Sequence, residues 1–160
     1  MRWLMLGLIL SCATVAHARI GDTEAQLVER FGAVHARMPE RILEGGRVCV
    51  LGERVVFRQH EWRVTAVLID ARCAKITYAK TGAWAESQFT ELLAVNAGRW
   101  AWSEIAGKVP NWQRTWRRAD GLVAKWRYAG GFAIEGQPWV DARERARELV
   151  RQDPLTAATR

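Results

Sequence analysis

The pattern of apolar and polar positions contains two matching stretches, at 62–79 and 112–129. Within each stretch apolar residues recur at alternate positions, which is typical of strands with one buried side, and a turn containing aspartate divides the stretch in two. Aligned without a gap, fifty positions apart, the stretches share seven identities in eighteen residues, including Trp62 with Trp112 and Asp70 with Asp120. We predict that each stretch is an antiparallel hairpin and that the two hairpins are copies of one segment.

The turn between the strands decides which side chains share a face of each hairpin. A three-residue loop with Gly121 in the left-handed conformation pairs Arg118 with Leu122. It gives the second hairpin one apolar face, made of Trp112, Trp116, Leu122, Ala124, Trp126 and Tyr128. The same loop in the first hairpin groups Trp62, Val64, Ala66, Leu68, Ala74, Ile76 and Tyr78. We predict that these faces form the core beneath the helices; the alternative is an exposed aromatic face that grips a partner.

The opposite faces of the two hairpins are basic and carry several threonines. They comprise Arg63, Thr65, Lys75, Thr77, Thr115, Arg117, Lys125 and Arg127. Such a surface suits an acidic partner, so the candidate partner-binding residues are Arg63, Lys75, Arg117, Lys125 and Arg127. A solvated sheet face is the simpler interpretation. The alternation of tryptophan with arginine in the second hairpin also fits an anionic polymer or a lipid surface.

Helical spacing is found in three other segments. The first begins at Thr23, which makes a capping box with Gln26, and it ends at Gly32. A second spans 87–96, and a third begins at Pro138 and continues to about residue 151. Residues 33–46 contain Pro39 and a glycine pair and are predicted to be mostly loop. Short strands are predicted at 47–51, 55–58, 100–105 and 132–135.

The order of these elements predicts a single α+β domain over 19–151. It contains two tandem repeats, each a helix followed by an antiparallel meander, at about 20–80 and 86–135. The C-terminal helix follows them, and 152–160 is predicted to be a flexible tail. The two meanders are expected to join in one antiparallel sheet with the helices on one face.

The segment 20–32 carries a resemblance to a known family. A helix opened by Gly21 and Thr23, with Val28 five residues after the threonine, closes at Phe31-Gly32 and is followed by a small antiparallel sheet. This order resembles the SmpA/OmlA lipoprotein unit, and two such units in tandem are similar to the β-lactamase-inhibitor-protein fold. The insert 33–54 departs from the plainest version of the unit. The resemblance implies a non-enzymatic envelope protein that binds another macromolecule, and it carries over no contact residue.

Residues 1–18 have the pattern of an export signal. Arg2 is their one charged side chain apart from the histidine, 3–16 are mostly apolar but too few to span a bilayer, and Ala16-His17-Ala18 fits a cleavage site. We therefore expect an exported protein, periplasmic or secreted, with no transmembrane helix after cleavage. The alternative is a lipoprotein, because Ile9-Leu10-Ser11-Cys12 resembles a lipobox and would leave Cys12 lipidated at a membrane.

Charge and cysteine content refine this picture. The chain of 160 residues has a formal net charge of +7, and removal of the signal with Arg2 lowers it to +6, which favours anionic partners. Cys49 and Cys73 both lie in strand-like runs of a chain expected in an oxidising compartment, so a disulfide between them is predicted. Two buried free thiols are the alternative.

The sequence contains no recognisable catalytic motif. Neither His35 nor His60 has a second ligand at metal-binding spacing, and there is no phosphate-binding loop or nucleophile motif. We therefore predict no catalytic residue, metal or cofactor. The leading hypothesis is an exported protein-binding or scaffold module with a protein partner in the envelope. Binding of an anionic polymer or lipid surface is the second hypothesis, and a small secreted hydrolase is the third.

Overall fold

The computed structural model describes residues 19–105, 113–127 and 131–152. Eight antiparallel strands form one sheet, in the order β1-β2-β3-β4-β8-β7-β6-β5, so the chain is α+β as predicted. The predicted signal with Cys12, and the tail after Gln152, lie outside the described residues. The elements in chain order are α1 (Glu24–Phe31), β1 (Ala36–Glu44), β2 (Arg47–Gln59), β3 (Trp62–Ile69), β4 (Arg72–Lys80), α2 (Glu86–Val95), β5 (Trp102–Glu104), β6 (Gln113–Arg118), β7 (Val123–Arg127), β8 (Gly131–Glu135) and α3 (Gln137–Gln152).

Two helices cover one face of the sheet. The capping box that opens α1 is confirmed, because the Thr23 N–H donates to the Gln26 side chain at 2.8 Å and the Thr23 hydroxyl accepts from the Gln26 N–H at 3.4 Å. In α2 the Gln88 side chain accepts from the Ala85 N–H at 3.0 Å, so that helix begins with only half of the same device. Both helices are short and depend on the apolar side chains that they bury against the sheet.

The face under α1 and α2, the core face, is apolar and rich in aromatic rings. Phe57 and Phe132 are fully buried, Trp116 is 5% exposed, and the Phe89 ring lies 5.1 Å from that of Trp126. The prediction that the aromatic face forms the core is therefore confirmed for Trp116 and Trp126. Trp112 and Tyr128 lie outside the described residues.

The C-terminal helix α3 lies on the other side of the sheet. It packs against β1, β2 and β4 and buries Trp139, Ala142, Ala146 and Val150. Its first turn forms a second, smaller apolar cluster with Val67 and Ala74. Val67 stands between the core-face residues Ala66 and Leu68 along β3. The expectation that the helices share one face is thus right for α1 and α2 and wrong for α3.

The two predicted hairpins turn differently. Between β6 and β7 the Arg118 N–H donates to the Leu122 carbonyl at 2.9 Å and Gly121 has φ +92°, so the three-residue loop is confirmed. Between β3 and β4 the turn has only two residues, Asp70 and Ala71, both with positive φ. A register shift after Val67 then compensates for the shorter turn, so Val64, Ala66, Ile76 and Tyr78 still face the core. The bulge places Ala74 on the α3 side, where the prediction for that residue is wrong.

Strand order does not confirm the predicted duplication. The matched sequence stretches form β3–β4 and β6–β7. The first pair ends one meander, β1 to β4, whereas the second pair lies in the middle of the other, β5 to β8. The meanders join where β4 pairs with β8. β8 begins at Gly131, which has φ +77°. The Cα of Gly131 lies so close to the Tyr78 carbonyl that a side chain at this position would clash with it.

The segment predicted as mostly loop, 33–46, contains the edge strand β1. Pro39 is compatible with an edge strand, because one side of such a strand makes no hydrogen bonds to the sheet. β2 is one strand rather than the predicted two, and a register shift after Glu40 absorbs the break expected at Gly52. Because β2 pairs with β3 only as far as Glu53, the far half of β1–β2 extends beyond β3 as a two-stranded ribbon.

The predicted disulfide between Cys49 and Cys73 is not formed, and both thiols are free. Cys49 is in the projecting ribbon opposite Ile42, which packs on the α3 side, whereas Cys73 pairs with Leu68 and faces the core. The strand register therefore places the thiols on opposite sides of the sheet. Burial raises the pKa of the Cys73 thiol to about 12, so it remains protonated near neutral pH.

Candidate functional site

The five predicted partner-binding residues all lie on the sheet face opposite the core. Successive pairings place Thr65, Thr77, Ala133, Lys125 and Thr115 in one row across five strands. Arg63 and Arg127 flank this row on one side and Lys75 and Arg117 on the other. The area that α3 leaves accessible is called the open face, and it comprises Arg58, Arg63, Thr65, Thr77, Thr115, Arg117, Lys125 and Arg127.

The arginines of the open face have no carboxylate partners in the described part of the chain. Arg58, Arg63, Arg117 and Arg127 are all exposed, and none forms an ion pair with a described residue. Arg58 also pairs directly with Arg63 across β2 and β3, which brings two like charges together. An external anion would relieve that repulsion. Arg58 was missed from the sequence because nothing local reveals that β2 lies beside β3 in this register.

The two predicted lysines have a different role. Lys125 Nζ lies 2.6 Å from one oxygen of Glu135, and Lys75 Nζ lies 3.5 Å from the other. Lys75 also sits 4.4 Å from the centre of the Trp139 ring. Burial works against the charge of Glu135, but the hydrogen bond from Lys125 and the charges of both lysines outweigh it, and the pKa of Glu135 is lowered. Glu135 therefore neutralises one positive charge of the lysine pair.

A groove opens beside this cluster, between α3, the β1 strand and the β7–β8 pair. Its volume is about 360 Å³, and its lining includes Lys75, Lys125, Arg127, Glu135, Trp139 and Arg143. Arg143 belongs to α3 and Arg127 to β7, so cationic side chains border the groove from both sides. We call it the α3 groove. Sequence reasoning missed Glu135, Trp139 and Arg143, because their elements reach β4 only through the tertiary fold.

A second depression, of about 300 Å³, lies at the β2–β3 turn. It is lined by His60 and Glu61, and Lys80 sits 3.9 Å from the Glu61 carboxylate and 5.5 Å from the Trp62 ring. His60 is exposed in the turn, and His35 is exposed just before β1, so the structure keeps the two histidines apart. Within the described ranges, no three His, Cys, Asp or Glu side chains are placed to hold a metal ion.

No family model matches the chain, and neither a curated protein nor a solved structure shows significant similarity to it. Among the described helices, none combines the length and apolar character needed to cross a membrane.

Proposed function

We propose that this protein is a non-enzymatic binding module that engages an acidic protein surface, in the cell envelope or outside the cell, through its open face. The observation that carries the proposal is the set of exposed arginines without carboxylate partners on that face, Arg58, Arg63, Arg117 and Arg127. Exposed guanidinium groups on a rigid sheet can pair bidentately with carboxylates and cost little further ordering.

The dimensions of the open face favour a macromolecule over a small ligand. Arg63 lies on β3 and Arg117 on β6, with β4, β8 and β7 between them. Four inter-strand steps of about 4.8 Å separate these two strands by about 19 Å across the sheet. Only a ligand with an extended surface contacts both at once.

The position of the tryptophans argues for charge pairing instead of base or sugar stacking. Trp116 is buried and Trp126 packs against the core, so neither ring is presented on the open face. An anionic polymer would then bind through its charges alone, with an affinity that falls steeply as salt rises.

The test compares two triple variants with the same loss of charge. Arg63→Gln, Arg117→Gln and Arg127→Gln remove open-face arginines, while Arg41→Gln, Arg99→Gln and Arg145→Gln remove exposed arginines elsewhere. Immobilised wild type and the control triple are expected to capture the same protein from an envelope extract, and the open-face triple is expected to lose it. Equal capture by all three proteins would contradict the proposal.

A parallel experiment separates a protein partner from a polyanion. Retention of the wild type on heparin or on anionic vesicles is expected to be weak and equally reduced in both triples, since nonspecific attraction follows total charge. Strong retention that only the open-face triple loses would identify an anionic polymer or lipid surface as the ligand instead.

A further inference from the structure

We infer that the α3 groove receives carboxylate side chains from an extended acidic segment of the protein partner; this inference rests on the proposed function and assigns a specific contact to it. The groove adjoins the open face through Lys125 and Arg127, which belong to both. A segment lying across the open face can therefore continue into the groove without leaving the sheet.

The charge of the groove favours an anionic group. Arg127 and Arg143 stand on different elements, and neither is in an ion pair with any residue that the structure describes. Lys75 and Lys125 share the single carboxylate of Glu135. The other two acidic residues of the lining, Glu40 and Glu44, are already held by Arg54 and Arg147. Three positive charges of the lining are therefore not neutralised by described residues: those of Arg127 and Arg143, and one of the two lysine charges.

The same lining disfavours a continuous polyphosphate. Three carboxylates lie among the cations of the lining, those of Glu40, Glu44 and Glu135. A polymer with a negative charge at every repeat would place some of its charges beside these carboxylates and be repelled by them. Apolar surface from Ile42, Ala133 and Trp139 lies between the charged groups. A peptide that alternates carboxylate with apolar side chains matches this mixture better than nucleic acid or a sulfated glycan.

The groove is held in shape before any ligand arrives. Arg147 of α3 pairs with Glu44 of β1 at 3.4 Å, and Val150 packs against the Gly45 turn of the ribbon. The Glu135 carboxylate forms ion pairs with both Lys75 and Lys125 and so restrains their side chains. A volume of about 360 Å³ lies near the small end of the range for ligand pockets, about 300–1,000 Å³, which suits one or two side chains. Such preorganisation lowers the entropic cost of binding.

The test uses a fluorescent eight-residue peptide of alternating glutamate and leucine, with the glutamine counterpart as its control. Saturable binding of the glutamate peptide alone is expected by fluorescence anisotropy. The double variant Arg127→Gln and Arg143→Gln is expected to weaken it by about tenfold or more, since charge-assisted pairs are lost. The double variant Arg63→Gln and Arg117→Gln, which removes the same charge outside the groove, is expected to change it by about twofold or less. Unchanged melting temperatures confirm that both variants fold.

Carbodiimide crosslinking locates the peptide independently of any variant. The chain has four lysines, Lys75, Lys80, Lys108 and Lys125, and peptide carboxylates are expected to couple to Lys75 or Lys125. Coupling confined to Lys80 or Lys108, or equal weakening by both double variants, would overturn the groove assignment. The assignment would also be overturned if a single-stranded oligonucleotide, added at the same concentration of negative charge, displaced the peptide from the protein.

The outcomes separate this inference from the function on which it rests. If the open-face triple loses its captured protein but the peptide does not bind, the groove assignment fails and the proposed function stands. If the peptide binds in the groove but the open-face triple still captures the protein, the site stands as a carboxylate-binding groove and the wider open-face contact fails.

Discussion

Arg37, Arg114 and Arg118 on the core side of the sheet lie at its margins and are held by carboxylates, whereas the open-face arginines have no carboxylate partner in the described chain. Arg37 contacts Glu24 at 2.5 Å and Glu53 at 2.8 Å, and Arg114 contacts Glu86 at 2.6 Å and Glu104 at 2.9 Å. The hydrogen bond from Arg114 lowers the pKa of Glu104. A basic residue therefore marks a candidate binding surface only where the fold leaves it without a carboxylate partner.

The two faces also differ in how they bury apolar side chains. The core face holds a continuous aromatic cluster in which the Phe132 ring lies 5.9 Å from Trp116 and 6.4 Å from Phe89. On the opposite face the described residues form a smaller cluster under α3, of Val67, Ala74 and Trp139. Stability is therefore expected to come mainly from the core face, and the opposite face remains available for binding.

The largest effect is expected from Phe132→Ala. Phe132 is fully buried among aromatic rings, and its truncation should cost about 3–5 kcal/mol of unfolding free energy. Urea unfolding followed by circular dichroism measures this. If the variant does not fold, Phe132→Leu provides a milder substitution and should cost about 1–1.5 kcal/mol. A cost of Phe132→Ala below that of Trp139→Ala would reverse the ranking of the two faces.

Trp139→Ala should cost about 2–3 kcal/mol, less than a core-face truncation, because α3 can detach while the sheet persists. Trp139 is 3% exposed and anchors the first turn of α3. Native-state hydrogen exchange is expected to show lost protection in α3 and retained protection in β3, β4 and β8. Uniform loss across the sheet would mean that the two clusters are one cooperative unit.

Glu135→Gln is expected to cost about 1–2 kcal/mol at neutral pH, since it leaves two partly accessible lysines without their carboxylate. The lowered pKa of Glu135 means that its stabilisation is present above the ordinary carboxyl value of 4.5 and is lost as pH falls through the folded-state value. Unfolding curves of wild type and variant should therefore converge as pH drops below about 4.5. A difference that stays constant through this range would show that the charge of Glu135 is not the cause.

The smallest changes in unfolding free energy are expected when one arginine from each face is replaced. Arg114→Gln breaks pairs with Glu86 and Glu104 and should cost about 0.5–1 kcal/mol, with a smaller difference at high salt. Arg117→Gln breaks no ion pair within the described chain and should stay within about 0.5 kcal/mol of wild type. Equal costs in matched urea titrations would remove the contrast between paired and unpaired arginines.

Local sequence signals located most of the elements. The capping residues of α1, the period-two pattern of β3 and β4, and the glycine of the β6–β7 loop each depend on neighbours within a few positions. The sequence does not predict β1, because Pro39 and the many exposed side chains of this strand give no clear strand pattern. The two-residue turn at Asp70 was missed because the bulge that compensates for it leaves no local signature.

Alternation along β3, β4, β6 and β7 was sufficient to put Arg63, Lys75, Arg117, Lys125 and Arg127 on one face, since side-chain direction follows strand parity. Only the tertiary structure determines which of these residues are free of ion pairs and can bind a partner. Pairing of β4 with β8 brings Glu135 to the lysines, and docking of α3 brings Arg143 to the groove. Strand order and helix docking depend on contacts between distant segments, whose stability comes from the burial of the whole sheet and not from any single stretch of chain.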